Sequence, residues 1–67
     1  MITPKREETN DGHTFLKLYD DNVILAEQEN TDYTQFEIRL VYDGLEYVSN
    51  ENEIFVTWHS LLLKFGS

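Results

Sequence analysis

A hairpin pattern in residues 34–48 constrains the fold more than any other feature of the chain. Asp43-Gly44 separates two runs in which apolar and polar residues alternate. A two-residue type I′ turn needs positive φ at both central positions, and Asp-Gly readily adopts that conformation. The turn predicts three cross-strand pairs: Tyr42 with Leu45, Leu40 with Tyr47, and Ile38 with Ser49. Alternation then assigns Phe36, Ile38, Leu40, Tyr42, Leu45 and Tyr47 to one face, and Glu37, Arg39, Val41 and Glu46 to the other.

The part of the chain before this hairpin divides into three segments. Residues 1–12 are almost entirely polar, and we expect a flexible leader there. Residues 13–27 predict a first hairpin, with strands at 14–19 and 23–26 and a turn at Asp20-Asp21-Asn22, because Asp and Asn tolerate left-handed conformations. A polar connector at 27–32 leads to the second hairpin, from about Tyr33 to Ser49.

The tail from Asn50 to Phe65 has a helical period. Its apolar positions, which fall on one face of a helix, are Ile54, Phe55, Trp58, Leu61, Leu62 and Phe65. Asn50 is a good N-cap, and Glu53 stands three residues later, as in a capping box. The alternative is a strand at Ile54–Trp58, since all five residues favour sheet. The caps and the period favour the helix.

These elements predict one small α+β domain over residues 13–67, following the leader at 1–12. The expected architecture is an antiparallel β-meander of about four strands with one C-terminal amphipathic helix packed on its apolar face. The absence of cysteine excludes disulfides and thiolate zinc sites, and it fits a reducing compartment. No apolar run approaches the roughly 20 residues of a membrane span. We therefore expect a soluble protein of the cytoplasm.

Charge is the second guide to function. Thirteen acidic residues against five basic ones give a net charge of −8, which opposes binding to nucleic acid or anionic lipid and favours basic protein surfaces. In a meander, both hairpin tips lie at one end of the sheet. That rim would collect Asp20, Asp21, Asp43 and Glu46, and the opposite rim would collect Glu27, Glu29, Asp32, Glu51 and Glu53. A simpler interpretation is that acids at turns serve conformation and solubility.

The second hairpin resembles the small type II-A anti-CRISPR proteins of Listeria phages and prophages, which occupy the PAM-reading site of Cas9. The residues that carry the resemblance are Thr34-Gln35, Ile38-Arg39, Asp43-Gly44, Glu46-Tyr47-Val48, Glu51 and Glu53. In that family the acidic turn between strands contacts Cas9, which implies contact roles for Asp43 and Glu46. That family also has a helix before its sheet and an acidic segment between later helices, neither of which is expected here. The resemblance therefore favours a small phage-type inhibitor more strongly than it favours Cas9 as its target.

The sequence lacks the patterns of reactive sites. His13 and His59 have no nucleophile or carboxylate at ligand spacing, and both are expected at the surface. Asp20-Asp21-Asn22 lacks the glycine and terminal Glu of a calcium loop, and the glycines are isolated rather than forming a phosphate loop. We expect no catalysis, no metal and no cofactor. Aromatic residues such as Trp58 are expected in the core, because a stacking platform for bases needs a positive groove.

The function predicted from these observations is a non-catalytic acidic binding protein, encoded by a phage or mobile element. It would inhibit a basic, nucleic-acid-handling bacterial protein by competing with nucleic acid. The expected contact residues are Asp43, Glu46, Asp20, Asp21, Glu51 and Glu53. The alternatives are a structural module acting through sheet-edge pairing or homodimerisation, and an immunity or antitoxin-type protein covering a basic toxin.

Overall fold

The computed structural model describes residues 1–32 and 34–58 and shows six strands in that part of the chain. They form two antiparallel sheets of three strands each. Sheet A contains β1 (Ile2–Glu8), β2 (Thr14–Asp20) and β3 (Val23–Glu29). Sheet B contains β4 (Ile38–Tyr42), β5 (Leu45–Ser49) and β6 (Ile54–Trp58). In both sheets the order in space follows the order in the sequence.

The expected α+β architecture is therefore wrong: the described part of the chain is all-β. The two hairpins also belong to separate sheets instead of one four-stranded meander. Two segments supply the strands that were not expected. Residues 2–8, within the expected leader, form β1 and pair along their whole length with β2. Residues 54–58, within the expected helix, form β6 and pair with β5. Residues 59–67, the rest of the expected helix, lie outside the described residues.

The second hairpin has the predicted register. Tyr42 pairs with Leu45, Leu40 with Tyr47, and Ile38 with Ser49. Both turn residues have positive φ, 51° at Asp43 and 77° at Gly44, as a type I′ turn requires. The short range of this signal explains why it could be predicted from the sequence.

The first hairpin is also present, with a turn shorter than expected and a bulge that was not expected. Asp20 pairs with Val23, so that only Asp21 and Asn22 form the turn, and Asp21 has a φ of 54°. The register shifts between Leu18 and Tyr19, because Leu25 is an extra residue in β3. A bulge brings two consecutive side chains toward the same side of a strand. Leu25 and Ala26 both pack against the core.

The core lies where the apolar faces of the two sheets meet. Leu16 and Leu18 of β2 are fully buried, and they form one cluster with Ile38, Leu40 and Tyr47 of sheet B. The apolar face that the sequence assigned to a covering helix thus packs against sheet A. Phe36, which was assigned to that face, precedes β4 and is exposed. Arg6 of β1 extends to sheet B, donating to the Phe36 carbonyl at 2.8 Å and to Ser49 Oγ at 3.1 Å.

Asn50 makes the hydrogen bonds expected of a helix cap, but it lies in the turn between β5 and β6. Its side-chain Oδ1 accepts hydrogen bonds from the backbone N–H groups of Asn52 at 2.9 Å and Glu53 at 2.8 Å, which is the local geometry expected of an N-cap. The same geometry closes an Asx turn. The Asn50 N–H then bonds the Glu53 carbonyl, and the chain turns back as β6 instead of continuing as a helix.

Candidate binding surface

In the described part of the chain, Lys and Arg are confined to strands, whereas Asp and Glu occur in strands, turns and the connector. The four basic residues in the described part of the chain, Lys5, Arg6, Lys17 and Arg39, all lie within strands. The turns and the connector contain acids and no Lys or Arg in the described ranges. The ends of the sheets therefore present negative charge without a nearby cation from the same loop.

Each described cation is also engaged within a sheet. Arg6 bonds across to sheet B, and Lys17 Nζ lies 3.9 Å from Glu27 Oε2. Lys5 Nζ lies 5.6 Å from the centre of the Tyr19 ring, within cation–π range. These contacts hold Lys5 and Lys17 within sheet A, whereas Arg6 reaches the carbonyl of Phe36, which precedes β4.

We use the name tip end for Asp20, Asp21 and Asp43, which lie at the two-residue turns of the two hairpins. All three are exposed. Asp20 Oδ1 lies 3.0 Å from the α-amino group of Met1, so its charge is partly balanced. Asp21 and Asp43 both adopt positive φ, which Asp tolerates better than most residues. Turn conformation alone is thus sufficient to account for their presence.

Glu46 is not at the tip end. It is only 6 % exposed and lies on the outer face of sheet B, opposite Val41 and Thr57. Its Oε1 lies 2.5 Å from Arg39 Nη1, and Arg39 also bonds Glu37. These hydrogen bonds, to Glu46 first and then to Glu37, raise the pKa of Arg39 above its usual value. Glu46 therefore acts within the sheet, and its carboxylate is not presented beside Asp43.

The connector end is the name we give to Asp11, Asp32, Glu51 and Glu53. These acids lie in the turn at 9–13, the connector at 30–37 and the turn at 50–53, and all are exposed. Hydrogen bonds from the side chain and then the backbone of Thr34 lower the pKa of Asp32. The side chain of Thr9 similarly lowers the pKa of Asp11. Both groups are thereby held in their charged form to lower pH than an ordinary aspartate.

The contacts of Arg6 bring the loops of the connector end to the same side of the molecule. Arg6 lies near the end of β1 that enters the turn at 9–13. It contacts Phe36 in the connector and Ser49, which directly precedes the turn at 50–53. The Asn30 N–H also bonds the Thr14 carbonyl, which ties the connector to the start of β2. Asp11 was not expected in any binding surface, because it falls in the segment that was predicted as a leader.

His13 lies beside the connector end with its side chain 42 % exposed, but it pairs with two carboxylates that its sequence spacing did not indicate. Its Nδ1 is 2.5 Å from Glu29 Oε2, and its Nε2 is 3.8 Å from Asp11 Oδ2. The hydrogen bond to Glu29, followed by the charge of Asp11, raises the pKa of His13 above its usual value. At lower pH this residue adds positive charge next to Asp11. His59 lies outside the described residues.

The described part of the chain has two concavities that are lined mainly by polar residues. One, of about 210 Å³, lies along the connector and includes Asn30, Asp32 and Gln35. The other, of about 500 Å³, lies over the outer face of sheet A and includes Lys5 and Tyr19. Sites for small ligands are usually lined by apolar and aromatic side chains. Neither concavity has that character.

Residues 1–32 and 34–58 contain no group of three or more His, Asp or Glu side chains placed to hold a metal ion. The same residues contain no helix with the length and apolar character needed to cross a bilayer. Comparison of the chain with protein-family models, with curated proteins and with solved structures finds no match.

Proposed function

We propose that this protein is a non-catalytic acidic binding protein that inhibits a basic, nucleic-acid-handling protein by competing with nucleic acid. The observation that carries the proposal is that the described turns and connector contain acids and no Lys or Arg. Acids occupy the turns and the connector, whereas the described cations lie within strands. Such a surface offers carboxylates to a partner's Arg and Lys without first having to break ion pairs within the loops.

The proposed mechanism is competitive. Carboxylates pair with Arg and Lys side chains that otherwise hold phosphates or base edges, through charge-assisted hydrogen bonds. The net charge of −8 speeds encounter with a basic surface and repels nucleic acid itself. The expected setting is the cytoplasm of a bacterial host, with a phage or mobile element as the source. The resemblance of the second hairpin makes Cas9 one candidate partner.

The proposed contact residues are acids whose side chains are exposed and make no ion pair with a described residue. Asp21 and Asp43 at the tip end, and Glu51 and Glu53 at the connector end, are exposed and make no ion pair with any residue in 1–32 or 34–58. Asp20 is a weaker contact because it pairs with the Met1 amino group. Glu46 is left out of the contact set, because it is buried and bonds Arg39.

Two double variants test the proposal and identify the end that binds. Asp21→Asn with Asp43→Asn removes two charges from the tip end, and Asn keeps the left-handed tolerance that both turns need. Glu51→Gln with Glu53→Gln removes the same charge from the connector end. The two double variants have the same net charge, so each serves as the control for the other.

The tagged protein is first used to capture partners from a bacterial lysate at low salt, followed by elution at high salt. Competition is then measured by fluorescence anisotropy, with the captured protein bound to its own nucleic acid. Guide-loaded Cas9 on a PAM-containing duplex is assayed in parallel. The expected result is that the protein displaces nucleic acid and that one double variant does so much less well than the other. Equal effects of the two variants, or no displacement, would contradict competition by a localised acidic surface.

A further inference from the structure

Strand β6 is unlike every other strand in the described part of the chain. Its sequence, Ile-Phe-Val-Thr-Trp, contains no charged residue, whereas each of β1 to β5 contains at least one. Four of its five side chains are exposed, among them Phe55, Val56 and Trp58. Trp58 is 59 % exposed, although Trp is an expensive residue to leave in water.

Strand β6 also forms an edge of sheet B, since it pairs only with β5 within the described residues. Exposed edges are normally protected against pairing by charge, proline or a bulge. The other three edges have such protection: β1 has Pro4 and four charged residues, β3 has the bulge at Leu25, and β4 has Arg39. The unprotected β6 edge is therefore available for pairing with another strand.

We infer that β6 pairs antiparallel with β6 of a second copy of this chain, about a two-fold axis that passes through Val56. A two-fold axis perpendicular to the sheet continues each face of one copy into the same face of the other. Of the registers that this symmetry allows, the one centred on Val56 pairs all five residues. It aligns Ile54 with Trp58 of the second copy, Phe55 with Thr57, and Val56 with itself.

The sequence of β6 is self-complementary in this register. Two of the resulting pairs join a β-branched residue to an aromatic one, a combination that stabilises antiparallel sheets. The product is a continuous six-stranded sheet that pairs the backbone groups at the β6 edge, places its exposed side chains beside those of the second copy, and leaves the protected edges, β4 and its copy, on the outside. This inference does not depend on the proposed function, because the interface contains none of the acids of either end.

Charge favours the antiparallel arrangement over a parallel one. Glu53 lies three residues from Val56, so the two copies of Glu53 are separated by six residues along the paired strands. At about 3.4 Å per residue this is roughly 20 Å, which exceeds the Debye length of about 8 Å at physiological salt. A parallel pair would bring each Glu53 next to its counterpart. The antiparallel register thus avoids a like-charge contact between the two copies of Glu53.

Cysteine cross-linking tests the register, because the chain contains no cysteine of its own. Residues that face themselves across the axis have Cα atoms about 4.5–5.5 Å apart, within the range of a disulfide. Val56→Cys is therefore expected to form a covalent dimer on mild oxidation. Phe55→Cys alone is expected not to do so, because its counterpart is displaced by two residues. Cross-linking of Phe55→Cys at the same rate as Val56→Cys, or of neither, would overturn the inference.

A matched pair of lysine variants tests whether the β6 edge forms the dimer, without the use of cross-linking. Val56 is 50 % exposed on β6, and Val41 is 49 % exposed on β4 at the opposite edge of the same sheet. Val56→Lys places two like charges directly opposite each other, whereas Val41→Lys adds the same charge away from the interface. Light scattering over a wide concentration range should show dimers for the wild type and Val41→Lys, and monomers for Val56→Lys. A wild type that stays monomeric, or equal behaviour of the two variants, would refute the pairing.

Discussion

Replacing Arg6 should weaken the attachment of β1 to sheet B, while the pairing of β1 with β2 remains. Arg6 Nη1 donates to the Phe36 carbonyl at 2.8 Å and to Ser49 Oγ at 3.1 Å, and Ser49 is fully buried. Removing a hydrogen bond to a charged group costs about 1.5–3 kcal/mol. A chain of this length has a free energy of unfolding of only about 3–10 kcal/mol, at about 0.05–0.15 kcal/mol per residue. The Arg6→Met variant therefore loses a large share of the stability while keeping much of the aliphatic stem.

The assay is urea unfolding combined with amide hydrogen exchange. With a slope near 1 kcal/mol per molar urea for a small domain, the midpoint should fall by about 1.5–3 M. Amide exchange should increase most in β1, because Arg6 holds this strand to sheet B and its loss favours local opening there. Lys5→Met is the control: it replaces the neighbouring cation, which lies over the Tyr19 ring on the opposite face of β1, and should cost at most about 1 kcal/mol. Equal losses in the two variants would refute the reasoning.

Three further predictions concern single contacts. Gly44→Ala should cost about 1–2 kcal/mol in urea unfolding, because φ is +77° and an added Cβ meets no atom within 4 Å, so that only backbone strain contributes. His13 has a raised pKa because it bonds Glu29; its stabilising contribution should be fully present below about pH 6.5 and lost as pH rises through the folded-state pKa. His13→Gln should flatten that pH dependence of unfolding. Arg39→Met should lower the urea midpoint of unfolding, because it removes the 2.5 Å contact with buried Glu46.

The parts of the fold that could be predicted from the sequence depend on short-range signals. The Asp43-Gly44 turn determines the register of β4 and β5 through steric preferences of two residues, and this prediction is confirmed. Strand β1 could not be predicted in this way. Its segment has little apolar alternation, and Arg6 contacts residues that are 30 and 43 positions away in the sequence.

The tail shows why local patterns can mislead. Ile54, Phe55 and Trp58 fit one face of a helix, yet β-branched and aromatic residues also favour sheet. Asn50 makes the hydrogen bonds of a cap, but an Asx turn uses the same bonds. Pairing with β5 decides between the two structures, and such pairing is a tertiary interaction.

The sequence predicted where the acids of the candidate surface lie along the fold, but it did not predict how exposed each side chain is. The sequence correctly placed Asp21 and Asp43 at turns. It did not identify the burial of Glu46, although the hairpin register contains the signal. Arg39 faces Val48, which makes Glu46 its diagonal neighbour on the same face of the sheet, within reach of a long side chain.

The most direct test of the proposed function is the dependence of partner affinity on salt. We expect the logarithm of the affinity for the captured protein to fall linearly with the logarithm of salt concentration, because ion pairs form as counterions are released. The slope should become shallower in either the Asp21→Asn, Asp43→Asn variant or the Glu51→Gln, Glu53→Gln variant, and remain unchanged in the other. An affinity that does not respond to salt, or a slope that both variants leave unchanged, would contradict the claim that loop-end carboxylates form the binding surface.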